Sequence, residues 1–465
     1  MKFNVEVLVF LVLGSCGADE RRPRADVGRW ASAALRLLET ESCPKCVASK
    51  AQIRLYVAEP SPKGKLRAFV ADGSARQGGT HDAIVVLDPK PLLRFGHQVF
   101  MFFIDFKTTR DKCEAAGGIL LEGGDCIQLW KKTRCHRRSP SKRAASCQLI
   151  FLPEVRTADG QGEDLLTCQA SHGFINSCPV SSVKNRVSTC DPLATNSKTC
   201  DTTNYLKTQC AFMQTCDHAM LISGGWNRQM AEEDALKNLR VVNKMLLKNG
   251  FLPNNIKTFY ANGFVDDDEL GDVYPSGLKL ALRYHLRTLC ETPRCADSIV
   301  LYLNSPTRPD GASLLWDRDS NGEADETEVY TIKELLRDID GCKAKRVVIL
   351  ADQSFSEELV RLSMKHSTNL RNLIALGVGP TDAKQTMVAL LGKVNPGTCL
   401  TELVSQSSDV KYAGAMEDIL NGTLSGGPCT ADRDVRPERY FGCQNLSTLE
   451  MLEPDQVPDN EDRRR

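Results

Sequence analysis

From Asp217 onward the chain alternates short apolar runs with amphipathic stretches, and that alternation leaves few architectures open. "HAMLISGG", "NIKTFYANG", "DSIVLYLN", "VVILADQ" and "LRNLIALGVG" are strand-like runs rich in β-branched residues. Between them, "EEDALKNLRVVNKMLLKNG", "GLKLALRYHLRTL", "YTIKELLRDIDG" and a stretch reaching about His366 carry helical spacing, and a last helix is predicted from Asp382 to Leu391. Gly250 and Gly341 stand where helices end. Strands apolar on both faces must be covered on both faces. Residues 217–420 are therefore expected to form an α/β, three-layer αβα sandwich around a mostly parallel sheet.

The first half reads differently. "AQIRLYVAE", "KLRAFVAD", "DAIVVLD", "HQVFMFFIDF", "GGILLEGGDCIQLW" and "SCQLIFLPEV" alternate between glycine-rich turns, so residues 42–156 are expected to be an all-β, disulfide-stapled domain, a small sandwich. A basic leader and short helix (19–41, helical from Trp30 to Leu38) precede it. Residues 157–216, rich in Ser, Thr and Asn with six cysteines, read as a disulfide-held connector with little core of its own.

"MKFNVEVLVFLVLGSCGADE" has Lys2, an apolar core and small residues before the first charges, the layout of a signal peptide over residues 1–18. A lipobox at Leu13-Gly14-Ser15-Cys16 is the alternative reading. Loss of Cys16 would leave 18 of the 19 cysteines, an even number that in an exported chain points to disulfides. Cys43-Pro-Lys-Cys46 has no second pair at zinc spacing and is read as structural. The sequons at Asn421 and Asn445 agree with a secreted, extracellular glycoprotein whose tail, 421–465, is polar. No other run approaches the roughly 20 apolar residues of a membrane span. The net charge of zero supplies no global field for nucleic acid.

The order and wording of residues 217–380 resemble the caspase–legumain superfamily. "HAMLISGGWNRQMAEEDALKNLRVVNKMLLKNGFLPNNIKTFYANG" is similar to its first strand, long helix and second strand; "DSIVLYLNSPTRPDGASLLW" is similar to its third strand and "RVVILADQSFSEEL" to its fourth. The resemblance implies a catalytic histidine after the third strand and a cysteine after the fourth. Here those positions are degenerate: Asn304-Ser305-Pro306 replaces His-Gly, and Gln353 or Ser354 replaces the cysteine. Nucleophilic catalysis needs a thiolate or hydroxyl beside a base, and His218, His285 and His366 fall at a strand start and on helices. The resemblance therefore implies a pseudopeptidase, not an enzyme, acting as a binding or scaffold module. A secreted hydrolase using Ser354 with an unrecognised base is the alternative. Asp352-x-Ser354-x-Ser356 also matches the metal-site wording of von Willebrand A domains, an adhesive extracellular module, but there the motif sits on the first strand. Asp352 and Ser356 are expected instead to cap the following helix.

The most specific local pattern is "DRDSNGEADETE". Asp317, Asp319, Asn321, Glu323 and Asp325 stand at alternate positions, with Gly322 at the turn and Glu328 closing at position twelve, the oxygen pattern of a calcium loop. Ca2+ is the one cofactor this suggests, and water solvating an acidic hairpin tip is the other reading. "KKTRCHRRSPSKR" holds seven basic residues, Lys131, Lys132, Arg134, Arg137, Arg138, Lys142 and Arg143. They read as a solvated loop, a processing site, or a patch for an extracellular protein or a sulfated glycan.

Overall fold

The computed structural model describes residues 25–41, 49–59, 64–71, 79–93, 95–130, 149–159, 165–184, 206, 208, 210–231, 233–265, 268–366, 372–378, 387–405, 410–414, 420–429 and 442–452. The predicted signal peptide, Cys43 and Cys46, and the basic run from Lys131 to Arg143 lie outside the described residues.

The N-terminal unit opens with helix α1 (Ala25–Glu41) and continues through β1 (Arg54–Ala58), β2 (Leu66–Phe69), β3 (Ala83–Asp88) and β4 (Phe100–Asp105). Helix α2 (Arg110–Ala115), β5 (Ile119–Leu120), β6 (Cys126–Leu129), β7 (Glu154–Thr157) and β8 (Thr167–Gln169) follow. Six strands pair in the order β5-β6-β4-β3-β1-β8, every pair antiparallel. The antiparallel sheet was expected; the helix α2 within it and the packing of α1 on one of its faces were not. The face of the sheet carrying Leu55, Val85 and Phe102 packs on Trp30, Ala31, Ala34 and Leu38 of α1, and the β2–β7 ribbon lies on the other face. The reason is the helix itself, since a 17-residue amphipathic segment must bury its apolar stripe and the sheet face is its partner. Trp30 Nε1 and Arg29 Nη2 fix it by donating to Asp125 Oδ2, at 3.1 and 2.8 Å. Of the connector's cysteines, Cys168 and Cys178 pair with each other beside this sheet, whereas Cys210 and Cys216 bond Cys295 and Cys443 in the second unit.

That second unit contains β9 (Gln214–Ser223), α3 (Glu233–Lys248), β10 (Ile256–Tyr260), β11 (Val273–Tyr274), α4 (Lys279–Glu291) and β12 (Ala296–Leu303). It continues with the hairpin β13 (Ser313–Leu314) and β14 (Val329–Tyr330), then α5 (Ile332–Asp338), β15 (Arg346–Ala351), α6 (Ser356–His366) and β16 (Leu373–Val378). Helices α7 (Met387–Leu391) and α8 (Leu400–Ser405), then β17 (Val410–Gly414), β18 (Cys443–Asn445) and α9 (Thr448–Leu452), complete it. The sheet runs β11-β10-β9-β12-β15-β16-β17, parallel except for β17, and β18 pairs antiparallel with the start of β9. Residues of α3, α7 and α8 bury against one face and those of α4, α5 and α6 against the other, as strands like β15, apolar on both sides, require. Six disulfides join described cysteines: Cys113–Cys126, Cys290–Cys342 and Cys399–Cys429 besides the three above. No described helix is long and apolar enough to cross a membrane.

Candidate functional site

In an open parallel sheet, the loops leaving the carboxyl ends of the strands are where ligands and reacting groups gather. Here β12 and β15 are neighbours with Leu303 opposite Ala351, so Asn304 to Thr307 and Asp352 to Phe355 leave the sheet side by side. They are stitched together. Asn304 Nδ2 donates to the Asp352 carbonyl (2.8 Å), and Gln353 Oε1 accepts from Ser313 Oγ (3.2 Å) and the Ser305 amide (3.4 Å). Ser305 Oγ in turn accepts from the Gly224 amide at 2.9 Å. Gly224 admits no side chain, because a Cβ there would lie 1.9 Å from the Leu314 carbonyl oxygen. Pro306 is buried in this packing.

Gln353 and Ser354 are half-buried. The Ser354 hydroxyl donates to the backbone carbonyl of Phe95, in the loop between β3 and β4 of the N-terminal unit. Gly96, at φ +73°, lies so close that a Cβ would stand 2.8 Å from the Thr307 carbonyl oxygen and 2.9 Å from Ser354 Cβ. Further along the same edge, Ser182 shares a 2.9 Å hydrogen bond with Tyr260 at the end of β10. Asn262 Nδ2 donates to the Lys184 carbonyl at 3.1 Å, and Val183 is buried. The N-terminal unit and the segment following it therefore cover the strand ends. Phe95, Ile150, Phe151 and Val183 share one apolar cluster with Trp226, Met230 and Leu314 of the second unit.

The histidines of the second unit lie elsewhere. His218 is on the amino half of β9 and His285 on α4; both are buried, and burial holds them well below the ordinary range, at about 4 and about 3. His285 Nδ1 shares a 2.6 Å bond with Thr208 Oγ1. His366 is the last residue of α6. His97, two residues beyond Phe95, is 2.8 Å from Asp88 Oδ1 and lines a small cavity with Tyr56, Phe95, Ile150 and Met230 that Ser354 does not line. The Asp-x-Ser-x-Ser side chains also diverge. Asp352 Oδ2 accepts from Tyr302 Oη (2.8 Å), whereas Ser356 Oγ donates to the Val378 carbonyl (2.5 Å). The turn is made by Phe355 at φ +56°.

The acidic segment is the β13–β14 hairpin connection, so no helix leads into it, while Thr331 and Glu334 form the capping box of α5 just beyond. Asp317 Oδ1 accepts from the Asn321 amide (3.0 Å) and its Oδ2 from the Gly322 amide (2.9 Å); Glu328 Oε1 accepts from the Arg318 amide (2.7 Å). One oxygen each of Asp317, Asp319 and Glu328 lie within 4.8 Å of one another. The other expected ligands are not brought in. Asn321 spends its side chain on the Glu323 amide (2.6 Å) and Asp319 (2.8 Å), and Glu323 and Asp325 are exposed outside the group. Burial first, and Glu154 second, raise the Asp317 carboxyl to about 8, and burial raises Glu328 to about 7. Two buried carboxylates and an exposed third, converging in this way, suit a hard divalent cation. Glu154 comes from β7, its Oε2 3.1 Å from where a Cβ on Gly322 would be.

No family model matches this sequence, and no curated protein does. The sequon asparagines are both exposed: Asn421 in a turn near the Cys399–Cys429 disulfide, and Asn445 on β18, accepting from Gln214 Nε2 at 2.8 Å. Sequence reasoning missed the Phe95-Gly96 loop altogether. Its only trace was a glycine at the head of an apolar run, which says nothing of what the glycine abuts.

Proposed function

We propose that this chain is a secreted, disulfide-stapled protein whose second unit is a caspase-like αβα domain without catalytic power, working as a binding or scaffold module. The observation that carries the reading is the Ser354 hydroxyl, which is donated to a backbone carbonyl within a filled crevice and not to a base. The strand order β10-β9-β12-β15-β16, parallel with an antiparallel β17 beyond, supports the family resemblance. Six disulfides among the described residues support an oxidising, extracellular setting. A hydrolase built on Ser354 is disfavoured because its hydroxyl donates to a carbonyl and not to an imidazole of the described residues. The A-domain reading lacks convergence of its three motif side chains.

Ca2+ belongs to the same proposal, held by Asp317, Asp319 and Glu328 to order the hairpin next to the covered edge, with an extracellular protein or sulfated glycan as partner. A fluorophosphonate probe on the purified chain is expected to leave Ser354 unmodified, and labelling there would overturn the pseudopeptidase reading. Calcium against chelator, read by thermal unfolding, is expected to raise the midpoint in wild type and not in Glu328→Gln. An unchanged wild-type midpoint at millimolar calcium would remove the cation from the proposal and leave the rest standing.

A further inference from the structure

The crevice at the carboxyl ends of β12 and β15 is filled by main chain, and the way it is filled suggests a device. The occupant is the tip of a loop: the Phe95 carbonyl accepts from Ser354, and Gly96 lies against Thr307 and Ser354 with no room for a Cβ. The positive φ of Gly96 lets the loop turn its backbone into the gap, a conformation that a residue with a side chain adopts only under strain. Each unit has apolar clusters of its own, one between α1 and its sheet, another between the second sheet and α4, α5 and α6. Among the described cysteines no disulfide joins the two units. Beyond the cluster they share around Phe95, Ile150 and Phe151, the two units hold cores of their own with no staple between described cysteines, and units built this way can move relative to one another as bodies.

We propose that the Phe95-Gly96 loop is an autoinhibitory contact, a resident occupant of the strand-end crevice, so that any ligand of this face binds only a form in which the N-terminal unit has moved aside. The ligand rests on the binding reading above; the contact itself is testable without one. Ser305 and Thr307 are buried and the turn at Gln353-Ser354 is half-buried in the closed form, so the amides there report on opening.

Hydrogen–deuterium exchange of the full chain, read on peptides covering 304–308 and 353–357, tests the contact. Gly96→Val is expected to raise exchange there about tenfold or more, since the new side chain meets backbone at 2.8 Å. Gly117→Val is the control: it has a similar φ, +71°, in the same unit but nothing within 4 Å, so it imposes the backbone strain without the steric contact. It is expected to leave both peptides at wild-type rates. Ser354→Ala removes only the hydrogen bond and is expected to give about a fivefold rise; it decides the matter if Gly96→Val does not fold. Wild-type rates in Ser354→Ala, or equal rises in Gly96→Val and Gly117→Val, would overturn the contact. Labelling of Ser354 by the fluorophosphonate would overturn the pseudopeptidase reading and leave the contact untouched.

Discussion

Asp338 offers the sharpest test of what holds the second unit together. Its side chain, at the end of α5, is 0% exposed. Arg283 of α4 grips it with Nε and Nη2 at 2.7 and 2.8 Å, Arg287 Nε adds 2.7 Å, and Tyr330 Oη donates at 3.0 Å. The same Arg283 reaches Glu334 through Nη1 at 2.9 Å. Glu334 also takes Lys279, whose Nζ donates to the carbonyl of Glu326, two residues before Glu328. Removing one member of a buried pair leaves the other charge uncompensated, at a cost of about 3–5 kcal/mol. Arg283 is 16% exposed and qualifies for that range, whereas Arg287 at 41% adds at most about 1 kcal/mol. Asp338→Ala should therefore destabilise by roughly 4 kcal/mol, and at about 2–4 °C per kcal/mol for a unit of this size the midpoint falls by roughly 10 °C. Asp338→Asn, which keeps shape and one acceptor, should lose less. Thermal and urea unfolding of the intact protein measure both, and a double-mutant cycle with Arg283→Met isolates the pair. A loss below about 1 kcal/mol in Asp338→Ala would refute the reasoning, because the pair would then be behaving as a surface one.

Two other substitutions read different physics. His285 is neutral in the fold down to about 3 but protonates near 6.5 when unfolded, so the unfolded state binds the extra proton between those values. Stability from this group is complete above about pH 6.5 and drains by about 1.4 kcal/mol per pH unit as pH falls toward the folded value. Asp217, raised by burial to about 8, contributes with the opposite sign, and His218 with the same sign. The difference between wild type and His285→Leu in urea melts from pH 7 to 5 isolates His285, and a pH-independent difference contradicts the assignment. Gly224→Ala is expected to abolish the yield of folded protein, because its Cβ would sit 1.9 and 2.5 Å from the carbonyl oxygens of Leu314 and Leu315 and backbone cannot yield; normal yield and melting would show the β9 turn to be looser than described.

Much of the second unit could be read from periodicity alone. Val347–Ala351 and Ile299–Leu303 are apolar at every position, so each had to be a strand covered on both faces, and the amphipathic stripes of α3 and α4 said what covered them. The acidic hairpin was legible too, in its spacing, but only partly: Asp317, Asp319 and Glu328 converge, while Asn321, Glu323 and Asp325 turn to the backbone or to water. Local spacing fixes which side chains can approach a point, not which of them the hairpin's twist turns inward. The role of α1 was missed because an amphipathic stripe demands a partner without naming it, and the partner strands begin thirteen residues beyond its end.

By itself the sequence determined the two kinds of unit, the absence of a histidine from the loops following β12 and β15, and a chain rich in cysteine. Local periodicity and residue identity carry those facts, and neither depends on distant contacts. Only the tertiary structure decided that the strand ends are closed. The Ser354 bond joins residues 259 apart in the chain, and a contact of that separation is set by how two finished units dock, which no local pattern encodes.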